Sequence, residues 1–505
     1  MRTAVFLSFL FVLSSAGLAT TIYVPDDYTD IQSAIDASAN GDTIIVRPGT
    51  YVENIDFAGK AITVRSEKGP EVTIIDGNLN GSVVTFQSGE TQDSKLIGFT
   101  ITNGSGTYVE YFLGDLGGGI FIELSCPTIL NNIIRDNQAS YGGGGICCYK
   151  YSDAMIAENL ITDNWALSGG GILCRDYSSP TIKNNRVEGN TSNSAGGIYG
   201  GDRECCPEIC GNIIIANTAT DKGGGLRCHN LSDATVVNNL IAMNSSYIGG
   251  GIHVKYGSEP IIVNNTVVGN TSVEGGGICC DASDLEVTNN IIWGNVATDG
   301  PAISLISGSD FTISYSNVEG GQPLVHVDSG STIIWGNCMI DADPIFVMPS
   351  DNDYHLTWNS PCRDAGNDSY VIEPEDFEGD PRIAYDRVDI GADEFYAHLY
   401  YVGDVTPGAS GEVRVIGEPN RFVTLLNGDL RDPPIQTRYG VLYLTLPLNE
   451  TWEFWKTNND GVFLKSVELS SLWIPGDEYY FQALVGSLGH PAWSLLTNLL
   501  VMRVE

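Results

Sequence analysis

The sequence predicts an all-β protein: a solenoid of three parallel sheets followed by a small antiparallel β-sandwich. Two repeating features carry this prediction. Gly-Gly followed by Ile or Leu recurs with a period of about 26 residues, ending at Ile120, Ile146, Ile172, Ile198, Leu226, Ile252 and Ile278. A pair of asparagines keeps the same period: Asn132/Asn137, Asn159/Asn164, Asn185/Asn190, Asn212/Asn217, Asn239/Asn244, Asn265/Asn270 and Asn290/Asn295. Apolar residues flank each first Asn, as Ile129 and Ile134 do around Asn132. Each repeat therefore holds three short β-branched segments bounded by Gly, Asn or Pro. One repeat cannot bury three apolar edges, but stacked copies can. Equivalent residues then lie one inter-strand spacing apart, roughly 4.8 Å. Asparagine amides stacked in this way bond to one another up the column. The glycines are expected at a corner where a side chain would clash, and asparagine at the other corners.

The elements follow in chain order. Residues 1–19 read as an export signal: Arg2, the apolar run Ala4 to Leu13, then Gly17-Leu18-Ala19. The apolar run is well short of the roughly 20 residues of a membrane span. Thr29-x-x-Gln32 reads as a capping box opening an amphipathic helix, whose Ile31, Ala34 and Ile35 plug the end of the coil stack. The coils occupy 20–337, a further coil-like segment 338–399, and the sandwich 400–505. In the last region the Asn-Gly repeat gives way to alternation, as in "GVLYLTLPL". Trp452, Trp455, Trp473 and Trp493 are expected in its core, with a sugar-stacking platform as the alternative.

On these residues the chain resembles the right-handed parallel β-helix proteins of the pectate-lyase-like superfamily. The opening "YTDIQSAIDASANGDTIIVRPGTYVENI" is of that kind. The stretch from "NCMIDADPIFV" to "DIGADEF" is similar to the choice-of-anchor Q segment that ends many bacterial surface β-helices, and the final region to a C-terminal module of planctomycete-type secreted proteins. The resemblance implies a right-handed coil, export and surface display. It also implies a disulfide between Cys338 and Cys362, which occupy the "NC" and "SPC" positions. Acids of that segment (Asp341, Asp343, Asp351, Asp353, Asp364, Asp386, Asp389 and Asp393) could hold Ca2+, a hard cation bound by oxygens. Aspartate is equally a turn residue.

The net charge of −37, from 62 acidic and 25 basic residues, argues against nucleic-acid binding, which needs a basic surface. No membrane span is expected, and the chain is expected to be a monomer. Cys148, Cys174, Cys228 and Cys280 share an inward column as small buried hydrophobes. Cys148 and Cys174 are close enough to bridge, and Cys205, Cys206 and Cys210 form a candidate disulfide cluster.

The function reading comes from strand alternation. With the residue after the glycines at position 0, positions +1 and +3 should face outward. Down the stack they bring together Tyr149, Arg175, Tyr199, Arg227, His229, His253, Lys255 and Asp281. A basic, aromatic strip suits an acidic polysaccharide, since guanidinium and carboxylate pair in a fork. The long loop 104–118 could wall one end of it, and the insertion at 200–210 could bulge over its middle. The leading expectation is a secreted or cell-surface protein that binds acidic glycan along this strip. The alternative is a lyase working by β-elimination on uronates, with His253 or Lys255 as base, Arg227 as carboxylate clamp, and Tyr149, Arg175, Tyr199, His229 and Asp281 holding the substrate. Hydrolysis needs two carboxylic acids at a working separation, for which Asp176 and Asp202 at +4 are candidates. A purely structural surface protein is the third reading.

Overall fold

A computed structural model describes residues 19–397 and parts of the chain from Leu399 to Arg503, there mostly as strand backbone. Residues 1–18 of the expected export signal and the four C-terminal tryptophan side chains lie outside the described residues. No helix among the described residues is long and apolar enough to cross a membrane.

Three long parallel sheets wind around one core, with 13, 11 and 11 strands among the described residues. One coil shows the pattern. Thr128–Leu130 lies in sheet 1, Ile133–Arg135 in sheet 2 and Ile146–Tyr149 in sheet 3. Each pairs in register with its equivalent one coil on, as Ile146 with Ile172 and Cys148 with Cys174. The core is one continuous apolar column from Val24 to Val318, built from the positions that the repeat marks, Ile129, Ile134 and Ile146 among them.

The asparagine columns form as expected. Asn217 Nδ2 donates to Asn244 Oδ1 at 3.0 Å, and Asn217 Oδ1 accepts from the backbone N–H of Asn190 at 3.0 Å. The bend itself falls one residue earlier: Asn131, Glu158, Asn184 and Asn238 have left-handed backbone, and the buried ladder Asn stitches that corner to the next coil.

The helix Ile31–Ala37 caps the stack, with Ile31, Ala34 and Ile35 buried. Its N-cap is Asp30 rather than Thr29. The Asp30 carboxylate accepts from the Ser33 N–H at 2.8 Å, as an N-cap does. Gln32 instead reaches Asp36 and the Asp56 carbonyl, while Glu53 from the first coil accepts from the N–H groups of Ile31 and Gln32.

Two features are not anticipated by the repeat. Between sheets 2 and 3 the chain makes an excursion, Gln138–Gly142 in the coil above, and six such strands form a fourth sheet. It is headed by the loop 104–118, folded as the hairpin Thr107–Val109/Gly114–Leu116. The glycines bring the chain back beneath it. Gly143 bends with φ +68°, and a Cβ on Gly144 would sit 2.5 Å from the Gly170 carbonyl oxygen and 2.6 Å from that of Trp165. The glycines thus permit a close approach of backbones as well as a turn.

The second feature is the segment after the coils. Its hairpin Phe346–Met348/Asp353–Leu356 is antiparallel. Leu356, Cys362, Ile390 and Phe395 then pack on Ile215, Leu240, Ala242, Val268 and Ile291. Ile340 still bridges Asn317 in parallel as the last rung of sheet 2, whereas residues 346–397 lie along the outside of that sheet. Beyond them the described strands are antiparallel, as Ser410–Ile416 with Val462–Glu468.

None of the twelve cysteines is in a disulfide. The expected Cys338–Cys362 bridge is not formed: Cys338 is exposed, while Cys362 is buried against sheet 2 and accepts a hydrogen bond from Asn317 Nδ2 at 3.2 Å. Cys148 and Cys174 are register partners but remain thiols in the core. Cys205, Cys206 and Cys210 do not bridge either, since Cys205 turns into the core and Cys206 to solvent.

Candidate functional site

The strip residues do come together on sheet 3. Tyr149 pairs with Arg175, Tyr199 with Arg227, Arg227 with His253, and His229 with Lys255 and Lys255 with Asp281. Their exposure differs from the expectation. His253 is 0% exposed, Tyr149 1% and Tyr199 5%; Arg227 and Asp281 are also buried, and Arg175, His229 and Lys255 are half-buried. The reason is the fourth sheet. Its outer bend lies over position +1, so that a Cβ on Gly249 would meet the His253 Cβ at 2.7 Å, and Arg227 Nη1 donates to Ser194 Oγ. Phe112 of the hairpin covers Tyr149 and Arg175, with the guanidinium 4.6 Å from its ring centre.

The cations are already paired inside the protein. Arg175 Nη2 lies 2.8 Å from Asp202, and His229 Nδ1 lies 3.5 Å from the same carboxylate and 3.0 Å from the Tyr199 hydroxyl. Burial works against ionised Asp202, but the His229 hydrogen bond and the Arg175 charge prevail and hold it down to about 2. Asp202 is thus the hub of this cluster, and Asp176 sits beside it, 3.9 Å from Arg175 Nε.

Lys255 Nζ lies 2.5 Å from Asp281. Burial disfavours the ammonium, yet the Asp281 contact outweighs it and raises Lys255 above the ordinary lysine value. Lys255 is therefore protonated at neutral pH and unsuited to be a base. His253 is the reverse. Burial lowers it to about 4, with Asp281 opposing and Arg227 and Lys255 reinforcing. It is neutral at pH 7, but neither ring nitrogen has a hydrogen-bond partner among the described residues, and none of its surface is exposed. A general base must reach the proton it takes, and this imidazole has no path to one in the folded coil. Arg227, named as the clamp, is desolvated below the ordinary arginine value by burial.

The side chains that do reach solvent on this edge are one or two positions further on. Tyr151 and Tyr177 are 58% and 38% exposed, with parallel rings 5.0 Å apart. Tyr256 is 53% exposed, and its ring meets His229 edge-on at 5.3 Å. Arg203, from the insertion, lies between these groups, exposed and 3.4 Å from the Tyr111 hydroxyl. All four have left-handed backbone. The spacing of these tyrosines was visible in the sequence, but strand alternation does not extend into a turn.

Several of the acids considered for Ca2+ cap backbone amides. Asp341 accepts from Gly320, Asp343 from Ile345, Asp364 from Asp386 and Arg387, and Asp389 from Asp364 and Phe395. Asp351 and Asp353 pair with Arg414. Asp353 and Asp393 also lie beside His355, a residue that the sequence reading passed over.

The family described as the right-handed β-helix region matches residues 32–247 and 245–359. The chain belongs to this family. The match spans the coils and the hairpin that follows them, where the geometry above is found. No curated protein matches the chain. As a right-handed β-helix the protein has a fold that suits carbohydrate-active and surface proteins, and the fold leaves the activity to its side chains.

Proposed function

We propose that this is an exported, surface-located β-helix protein that binds polysaccharide without cleaving it, using the tyrosine-bearing edge beside sheet 3. One observation carries the reading: Tyr151, Tyr177 and Tyr256, all in left-handed backbone, are exposed, and the rings of Tyr151 and Tyr177 stack face to face 5.0 Å apart. Left-handed backbone costs a non-glycine residue roughly 1–2 kcal/mol. The equivalent corners are left-handed throughout the stack and hold Asp176, Asn230 and Gly257 but also Leu124, Lys150, Leu231 and Ala282, so the backbone alone does not single out tyrosine. Ligand contact explains exposed, stacked phenols: each offers an apolar ring and a polar tip, which match the two sides of a sugar. Arg203 in the same row supports a preference for acidic sugars, since guanidinium forks onto carboxylate. The N-terminal apolar run and the resemblance to choice-of-anchor Q proteins support export and display. The chain acts as a monomer in this reading.

The test is affinity electrophoresis of residues 20–505 through pectate, alginate, glucuronan and neutral glucans. Replacing Tyr151 and Tyr177 together by Asn should weaken retention about tenfold, the scale of one or two aromatic contacts. The double variant should melt no lower than the native protein, because Asn accepts the backbone. Unchanged retention, or none on any polysaccharide, would sink the proposal. Ultraviolet absorbance of unsaturated uronide should stay flat with the same polymers. A rise abolished by Lys255→Ala would make the protein a lyase instead.

A further inference from the structure

Three chemically suited side chains meet in the segment that lies along sheet 2. His355, Glu378 and Asp393 each offer a ligand atom, all within 4.8 Å of one another. They come from distant points of the chain: the hairpin strand Asp353–Leu356, the turn following Asp376, and the stretch that runs back beside that strand. We propose that they form a site for a transition-type divalent cation, with Zn2+ as the best fit.

Four observations carry this. Asp393 is 3% exposed, and while its Oδ2 accepts from the Leu356 N–H at 2.6 Å, its Oδ1 has no hydrogen-bond partner among the described residues. A buried carboxylate oxygen left in this way is costly unless a cation or proton meets it. His355 Nδ1 lies 2.6 Å from Asp353 Oδ1. Nδ1–H donation to a carboxylate fixes the tautomer and leaves Nε2 as the ligand, the arrangement found behind metal-bound histidines. Asp353 is itself held from the other side by Arg414 at 3.0 Å, so it orients the ring and is not needed as a ligand. Finally, Glu378 Oε2 lies 2.8 Å from His355 Nε2 and reaches solvent at the rim, which provides an entry path.

The donor set decides the metal. One imidazole nitrogen and two carboxylate oxygens match zinc sites with an open fourth position. Calcium takes six to eight oxygens, and here a nitrogen stands at the centre. Two carboxylates balance a divalent charge. The competing state without metal is an imidazolium bridging Asp353 and Glu378, with the proton count of Asp393 adjusting.

The experiment uses the full exported chain, stripped with EDTA and returned to chelator-free buffer. Zn2+, Mn2+ and Ca2+ are titrated separately by calorimetry and by thermal melting. One Zn2+ per chain should bind at micromolar Kd or tighter, with a rise in melting temperature and little response to Ca2+. Glu378→Gln, at the rim and safe for folding, should weaken Zn2+ at least tenfold. Asp353→Asn should weaken it by about 10–100-fold, as loss of an orienting partner does. Absence of saturable Zn2+ or Mn2+ binding would overturn the proposal. So would binding unchanged in Glu378→Gln and Asp393→Asn, or a response to Ca2+ alone. Polysaccharide retention is read separately and does not enter this test.

Discussion

Asn217→Ala removes one rung of a buried ladder, and the structure sets its cost. Asn217 Oδ1 accepts from the backbone N–H and the Nδ2 of Asn190, both at 3.0 Å, while its Nδ2 donates to the Val187 carbonyl at 2.9 Å and to Asn244 Oδ1 at 3.0 Å. Alanine leaves the Asn190 N–H without an acceptor in a fully buried site, a penalty of about 1–3 kcal/mol. The Val187 and Asn244 bonds add a net of about 1 kcal/mol each. The expected loss is about 3–5 kcal/mol, a factor of about 10²–10⁴ in the local opening equilibrium. Solenoids unfold with nearest-neighbour cooperativity and need not be two-state. The suitable assay is hydrogen–deuterium exchange of a peptide spanning 185–192, with urea unfolding alongside. Protection there should collapse by that factor, and less so several coils away. Asn193→Ala, an exposed asparagine in the fourth sheet whose amide oxygen accepts from Thr220, should change stability by no more than about 0.5 kcal/mol. Equal exchange in Asn217→Ala and native protein would refute the claim that the ladder closes the corners.

Other expectations concern the covered strip and the glycine corner. His253 is lowered to about 4 in the fold against about 6.5 unfolded. The unfolded state therefore binds the extra proton first, and stability is complete above about pH 6.5 and falls by roughly 3 kcal/mol by about pH 4. His253→Leu should flatten this limb of the stability–pH curve, and an imidazole proton resonance that titrates near pH 6.5 would contradict the burial. Asp202 has the opposite sign. Held at about 2 against about 3.9 unfolded, it contributes stability that is present above about pH 4 and lost as pH falls towards 2. Asp202→Asn should cost about 2 kcal/mol at pH 7 in urea unfolding, and no loss would mean that Arg175 and His229 do not depend on it. Gly144→Ala should cost about 3 kcal/mol, the upper end of the usual range for overpacking, because both obstructing atoms are backbone oxygens. Soluble expression at the native level with an unchanged melting temperature would show that the coils can spread there.

The repeat made the coil legible because its signal is local and periodic. Ile129, Ile134 and Ile146 each recur at one coil's spacing, and alternation tells which neighbour faces in. The same logic misplaced Arg227 and His253. Alternation says only that a side chain leaves the sheet, and says nothing of what lies over it. The covering strand, Gln138–Gly142, buries small residues such as Ala139 and Gly142, so it carries no apolar period to announce it. The disulfide expectation failed for a similar reason, since the positions of Cys338 and Cys362 in a motif do not state which way either thiol turns.

By itself the sequence determined the solenoid, its asparagine columns, its glycine corners and the apolar plug at its end. These follow from backbone hydrogen bonding, strand alternation and a fixed repeat. Only the tertiary structure decided which polar residues meet solvent, which cations are neutralised by Asp202 and Asp281, and that His355, Glu378 and Asp393 converge. Those outcomes depend on excursions and returns of the chain that bring residues together across many coils, and contacts of that range leave no mark in the spacing of neighbours along the sequence.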